Sequence, residues 1–291
     1  MNRAAESRPT TVERTLRHGD LDRRYLLCQP RPEASGLPLV VELHGRGIDP
    51  GMFDRWTGYG ELAEAEGFVL AMPYALHGVW NDGRFNGPGW SGLEAVDDVG
   101  FVLAIADELI AAGTVDAGRV YLVGMSNGAA MAGRLAWQHA DRFAAVAQVA
   151  GTASSNVVAT GGGAGPVPIM EIHGTRDRAN PYEGGGPTGL LMRLLIRRRA
   201  DPAIAVEEWA RLWIERNRVD ATPIVEHIGP DVTLRTWHGA SPASDLAFYR
   251  IDGAGHTWPG VRIWSPPHLG RVSRTIDATR VTWDFLSAHS R

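Results

Sequence analysis

The segment Val120-Tyr-Leu-Val-Gly124-Met-Ser126-Asn-Gly128-Ala-Ala-Met-Ala-Gly-Arg-Leu-Ala136 runs from an apolar β-type stretch through a tight turn into a small-residue helix. A serine flanked two positions away on each side by glycine, between a buried strand and a helix, sits on a turn too sharp for side chains at the glycine positions. Such a turn holds the hydroxyl at the carboxyl edge of a sheet, at the positive end of the following helix. It is the one Gly-x-Ser-x-Gly match in the chain. In a sequence with 35 Gly the pattern alone says little; the strand before it and the helix after it carry the reading. The competing reading is a structural turn with an idle serine.

Outward from this turn, short apolar runs recur at 37–44, 68–73, 120–125, 144–150, 167–173 and 246–251. Near-continuous apolar strands of this length are buried on both faces, which implies a parallel sheet. Helical spacing separates them. In 96–112, Val96, Val99, Leu103, Ala106 and Ile110 share one face, and Asp97 and Asp98 sit in the first turn as charges favoured by the helix dipole. Further helices are expected at about 53–66, 127–139, 203–218 and 277–289, and two shorter strands near 12–17 and 24–29. The fold class is α/β: a mostly parallel central sheet with helices on both faces. The 291 residues are expected to form one domain, with an insertion at about 184–202. That insertion reads either as a small cap over the site or as a surface helix with an Arg-rich end.

Composition removes whole classes of chemistry. Net charge is −4, with no basic field for a phosphate backbone, so no nucleic-acid partner is expected. All 29 basic residues are Arg, which excludes a P-loop lysine, a pyridoxal Schiff base and a Ser–Lys dyad. Cys28 is the single cysteine, so intrachain disulfides, Cys₄ zinc sites and Fe–S clusters are excluded too. There is no His-Glu-x-x-His and no membrane-length apolar stretch. No metal, cofactor or membrane association is expected. The first residues lack a secretory leader's apolar core, and one unpaired Cys suits a reducing compartment. A cytoplasmic protein is expected, or a secreted one if a leader has been removed.

Ser126 needs a general base, and without Lys the candidates are histidines. His18, His139 and His289 lie in polar or terminal stretches and read as surface residues. His44 and His173 each close a strand as His-Gly and read as structural loop entries. His256 stands in Asp252-Gly-Ala-Gly-His256-Thr-Trp-Pro-Gly260, a glycine-rich loop after the last candidate strand, where a base belongs in the chain order Ser, Asp, His. His238 and His268 are the alternatives. The orienting carboxylate should follow the strand between them. Asp177, in Gly174-Thr-Arg-Asp177-Arg-Ala-Asn-Pro-Tyr182, is the one carboxylate of that loop, although a loop Asp is often only a turn former. A second oxyanion donor is expected from Leu43-His-Gly-Arg46-Gly47: the Arg46 amide, with Gly47 as the alternative, beside the Asn127 amide.

Taken in order, Leu43-His-Gly-Arg-Gly47, Val96-Asp-Asp-Val-Gly-Phe101, Gly124-Met-Ser-Asn-Gly128, His173-Gly-Thr-Arg-Asp177, Pro181-Tyr-Glu-Gly184 and Gly253-Ala-Gly-His-Thr-Trp-Pro-Gly260 resemble the polyhydroxybutyrate depolymerase-like esterases. That α/β-hydrolase family includes bacterial feruloyl esterases, and the resemblance runs from about 21 to 285. It implies Ser126 as nucleophile, Asp177 as acid, His256 as base, and Arg46 with Asn127 as oxyanion donors. Secreted members often carry a Cys pair in the loop that reads Asn86-Gly-Pro-Gly-Trp-Ser-Gly92 here, without Cys.

The implied activity is cleavage of a small soluble carboxylic ester through an acyl-enzyme: an aryl ester of hydroxycinnamate type, or a short acyl or hydroxyalkanoate ester. The same triad would serve an amidase or peptidase, including one acting on a polyamide, and a hydrolase scaffold can also merely bind a ligand. Trp80, Trp90, Trp258 and Trp264 fall in loops at the carboxyl ends of strands and are expected to line the substrate cleft.

Overall fold

Tyr121, Val123 and Met125 face one side of strand β5 (Val115–Met125), Val120 and Leu122 face the other, and both sets are buried. A strand apolar on both faces has to lie inside a sheet that is covered on both sides. The computed structural model, which describes residues 11–84, 95–163, 165–188, 202–261 and 266–291, has that arrangement.

The other strands are β1 (Thr11–His18), β2 (Leu21–Cys28), β3 (Leu37–Leu43), β4 (Val69–Pro73), β6 (Ala145–Val149), β7 (Ile169–Gly174), β8 (Ile224–Ile228), β9 (Val232–Trp237) and β10 (Leu246–Ile251). They form one sheet in the order β1-β2-β4-β3-β5-β6-β7-β10-β9-β8. The six inner strands from β4 to β10 are parallel; β1 and β2 at one edge and β9 and β8 at the other are antiparallel. Helices α3 (Asp98–Ala111), α4 (Asn127–Gln138) and α6 (Val206–Asn217) bury Ile105, Leu135 and Trp209 against one face. Helices α1 (Pro50–Thr57), α2 (Tyr59–Glu66) and α7 (Ala278–Ser287) bury Phe53, Tyr59 and Trp283 against the other. A short helix, α5 (Ser155–Ala159), follows β6.

From β3 the chain passes to β4 on one side and then to β5 on the other, so the crossover direction reverses at β3 and β5. Open α/β sheets form their sites at such a reversal, beyond the carboxyl ends of the strands. The loop after β3 and the turn after β5 both lie there.

Three expectations change. The helix expected at 53–66 is two helices, because Gly58 takes a left-handed φ of 77° and caps the first. The β8–β9 hairpin was not anticipated: β8 is an exposed edge strand in which Glu226 and His227 interrupt the apolar residues, so it lacks the continuous apolar run of the inner strands. Asp97 is an N-cap, accepting from the Gly100 amide at 2.8 Å, but Asp98 is more than a dipole charge. It is buried, pairs with Arg23 at 2.6 Å and accepts from the Asn81 amide at 2.7 Å. The expected insertion lies outside the described residues at 189–201, while its ends meet in a bridge between Gly185 and Ala203. Among the described residues no helix is long and apolar enough to cross a membrane.

Candidate active site

Ser126 has φ 59° and ψ −120°, a conformation that costs a non-glycine residue on the order of 1–3 kcal/mol and persists only where the surroundings enforce it. The surroundings are visible. A Cβ at Gly128 would stand 2.0 Å from the Leu43 carbonyl oxygen, and one at Gly124 would stand 2.5 Å from that of Gly128. Both glycines are therefore required by contact between β3, β5 and α4. Ser126 is the N-cap of α4, yet its hydroxyl makes no cap bond. Instead Oγ lies 2.8 Å from Nε2 of His256.

His256 is held in the loop after β10 by its own amide, which donates to the Leu269 carbonyl at 2.6 Å. Its Nδ1 lies 2.7 Å from Oδ2 of Asp177. Asp177 performs two tasks with its two oxygens. Oδ1 accepts from the amides of Ala179 and Asn180, each at 2.8 Å, which is the turn-forming role of a loop Asp. Oδ2 faces the imidazole. Burial alone would raise the Asp177 pKa; the His256 charge and the hydrogen bonds from His173 and His256 outweigh it and hold the carboxyl far below its ordinary range. With an ionised acceptor on Nδ1, that nitrogen carries the proton and Nε2 is left to accept from the serine. Ser126, Asp177 and His256 thus meet as their order along the chain anticipates.

The loop after β3 runs beside the serine, since a Cβ at Gly45 would be 3.6 Å from that of Ser126. Gly47 donates its amide to the Gly78 carbonyl at 2.8 Å, which commits the alternative oxyanion donor to the backbone. Arg46 lies in the same turn, exposed. His44 anchors the loop: Nδ1 donates to the Gly45 carbonyl at 2.8 Å and Nε2 accepts from the Ala75 amide at 3.2 Å. Both ring nitrogens are satisfied in the neutral form, and burial lowers the pKa. Asn127 opens α4, so its main-chain amide belongs to the helix N-terminus, while its buried side chain is used behind the site. Its Oδ1 accepts from the Trp80 amide at 2.8 Å, and its Nδ2 donates to Asp82 at 2.7 Å.

Of the four indoles, Trp80 and Trp258 are placed otherwise than expected. Trp80 is fully buried, its Nε1 donating to the His44 carbonyl at 2.9 Å and its ring 5.1 Å from that of His44. It packs beneath the loop after β3 and presents no face to a ligand. Trp258 is also buried, with Phe53 and Tyr59 edge-to-face against it and Nε1 donating to Thr279. It borders a cavity of about 550 Å³ between α1 and the start of α7, and no triad residue lines that cavity. Trp90 and Trp264 lie outside the described residues. His289, expected at the surface, is buried against Phe285 and Asp245.

Sequence reasoning missed the layer behind the triad. Glu171 and His173 lie two apart on β7 and are both fully enclosed. His173 Nδ1 is 2.8 Å from Glu171 Oε1, and Nε2 is 2.8 Å from the Asn180 carbonyl and 3.5 Å from Asp177 Oδ2. The signal was a Glu and a His at i and i+2 inside an otherwise apolar strand, a spacing that puts both on one face. Among the described residues no three His, Cys, Asp or Glu side chains gather as a metal site requires.

The family described as Esterase PHB depolymerase matches residues 24–181. NocK of Nocardia uniformis subsp. tsuyamanensis, which carries an esterase name, is 32% identical over 269 residues, 86% of this chain and 74% of that one. Feruloyl esterase B of Piromyces equi is 29% identical over 246 residues; the match spans 79% of this chain but only 42% of the fungal protein. Among solved structures, an acetyl xylan esterase from Aspergillus awamori superposes with a TM-score of 0.60 at 16% identity, covering 84% of this chain and 94% of the other, a likeness of fold.

Proposed function

This chain belongs to the Esterase PHB depolymerase family, and we propose that it is a serine carboxylesterase working through an acyl-enzyme on small aryl or short acyl esters. The observation that carries the reading is the Ser126 hydroxyl 2.8 Å from Nε2 of an imidazole whose Nδ1 rests on an ionised, buried carboxylate.

In this reading His256 takes the Ser126 proton as Oγ attacks the ester carbonyl, and Asp177 stabilises the resulting imidazolium without itself taking the proton. The tetrahedral oxyanion is met by the main-chain amides of Asn127, at the positive end of α4, and of Arg46 in the loop after β3. His256 then protonates the leaving alcohol, and water, activated by the same imidazole, releases the acid. The hydroxycinnamate or short acyl preference is supported by the resemblance to feruloyl esterases and by the 29% identical relative named for that activity. With Trp80 buried under the loop, it draws no support from a wall of four indoles.

Fluorophosphonate labelling followed by peptide mapping tests the nucleophile: stoichiometric modification of Ser126 is expected, and an unlabelled Ser126 overturns the mechanism. Matched aryl and acyl esters and amides then test the substrate class. Ester cleavage should exceed amide cleavage, and kcat/KM should fall at least about tenfold from short acyl or hydroxycinnamoyl esters to long-chain ones. Faster cleavage of the amides would make this an amidase.

A further inference from the structure

Resting on the triad reading above, we infer that His173, backed by Glu171, is a positioning residue for catalysis: a buried imidazolium set behind Asp177 that tempers how strongly the carboxylate attracts a proton onto His256.

The hydrogen-bond inventory fixes the ring's state within narrow limits. Nε2 of His173 faces the Asn180 carbonyl, which can only accept, so Nε2 carries a proton. Nδ1 faces the Glu171 carboxyl at 2.8 Å. The ring is then either imidazolium, against a Glu171 carboxylate or carboxylic acid, or neutral imidazole against the carboxylic acid. Asp177, ionised and 3.5 Å from Nε2, tips the balance towards the cation, because a positive ring there faces its negative charge whether or not Glu171 holds a proton. Consistent with this, the His173 pKa is pushed up to about 10: burial would lower it, but the hydrogen bonds to Asp177 and Glu171 outweigh burial.

The consequence reaches the base through one atom. Oδ2 of Asp177 is shared by His256 Nδ1 at 2.7 Å and His173 Nε2 at 3.5 Å. A cation on the far side of that oxygen opposes a second cation on His256, so replacing His173 by a neutral group is expected to strengthen the hold of Asp177 on the His256 ring. Other groups around His173 do not supply this effect. The Tyr182 ring stands edge-on at 5.9 Å, with its hydroxyl donating to Glu207, which also pairs with Arg235. Arg250, the strand neighbour of His173 on β10, turns its guanidinium to Asp252 at 2.9 Å. Gln148, beside Glu171 on β6, is neutral and bonded to the Ala129 and Gly151 carbonyls.

The test is the pH profile of kcat/KM for an activated short-chain ester, measured on the whole protein, its H173Q variant and the E171Q/H173Q double variant. Gln keeps a donor near the position of Nε2 but carries no charge, and the second substitution removes the carboxyl that H173Q would strand. The acid limb is expected to move up by about one pH unit in both variants, with the high-pH plateau changed less than tenfold. An acid limb that stays in place in either folded variant overturns the inference. Should the variants not fold, ¹⁵N-histidine spectra of the unmodified protein decide: a buried ring protonated at both nitrogens at neutral pH is expected, and a neutral His173 overturns the inference. Ser126→Ala separates the two claims. Retained activity there removes the triad itself, whereas an inactive S126A with an unmoved acid limb removes only the role of His173.

Discussion

Asn127 donates Nδ2 to Oδ2 of Asp82 at 2.7 Å, tying the residue after Ser126 to a fully buried carboxylate in the loop beyond β4. The same side chain accepts from the Trp80 amide at 2.8 Å, and Arg84 closes over Asp82 at 2.6 Å. The main-chain amide proposed to meet the oxyanion is therefore held by a buried side-chain clamp. Asn127→Ala keeps the amide and removes the clamp. It should lower kcat by about tenfold, with KM little changed. It should also cost about 1–3 kcal/mol in urea unfolding, because buried partners on Trp80 and Asp82 lose their bonds. An unchanged kcat would show that the clamp does not position the turn.

Asp177→Asn tests tautomer control. One oxygen of Asp177 makes the turn with Ala179 and Asn180, and the other fixes the proton on His256 Nδ1. An amide can preserve the turn while permitting the wrong tautomer. The expected loss in kcat is on the order of 10⁴ with a folded protein, against roughly 10⁴–10⁶ for Ser126→Ala or His256→Ala. The Ser126–His256 double variant should be little worse than either single one, since each loss disables the same step. Additive losses would mean that the two act separately.

Gly128→Ala asks whether the turn tolerates one methyl group. The added carbon would stand 2.0 Å from the Leu43 carbonyl oxygen and 2.6 Å from that of His44, both backbone atoms that cannot swing aside. Either β3 separates from α4 or the loop after β3 shifts. A stability loss of about 3 kcal/mol or more is expected, together with loss of activity even in the fraction that folds. Thermal unfolding and fluorophosphonate labelling of the soluble variant measure both.

How far the sequence revealed this site depends on what each residue does. Ser126, Asp177 and His256 were legible because each follows a strand whose apolar run is unmistakable, in an order set by the connectivity of the sheet. Trp80 was misread because position in a loop at the carboxyl end of a strand says nothing of which way an indole turns; this one turns inward to the His44 carbonyl. His173 was passed over because its partners, Glu171, Asn180 and Asp177, become neighbours of its ring only once β7 and the following loop have folded. Asp98 was read as a helix charge because nothing local points to Arg23, 75 residues away on β2. Local pattern finds the elements and the loop residues at their ends. Buried pairing across the sheet needs the fold.

The Glu171–His173 pair should leave a mark on stability as well as on catalysis. Burial pushes Glu171 from its ordinary 4.5 up to about 7, and His173, which burial would lower, is carried by its bonds to Asp177 and Glu171 from 6.5 up to about 10. Both groups bind a proton more tightly in the folded chain than in the unfolded one. The folded state therefore holds more protons than the unfolded state from about pH 4.5 to 10, and stability must fall as pH rises across that range. The contribution is fully present below the unfolded values. It is lost first as Glu171 ionises and then as His173 gives up its proton. The E171Q/H173Q variant titrates at neither position, so the difference in unfolding free energy between the parent and this variant isolates the pair. Urea unfolding at intervals between pH 5 and 9 should show that difference falling steadily as pH increases. A difference that is flat, or that grows with pH, would mean that the buried pair does not hold its proton in the folded protein.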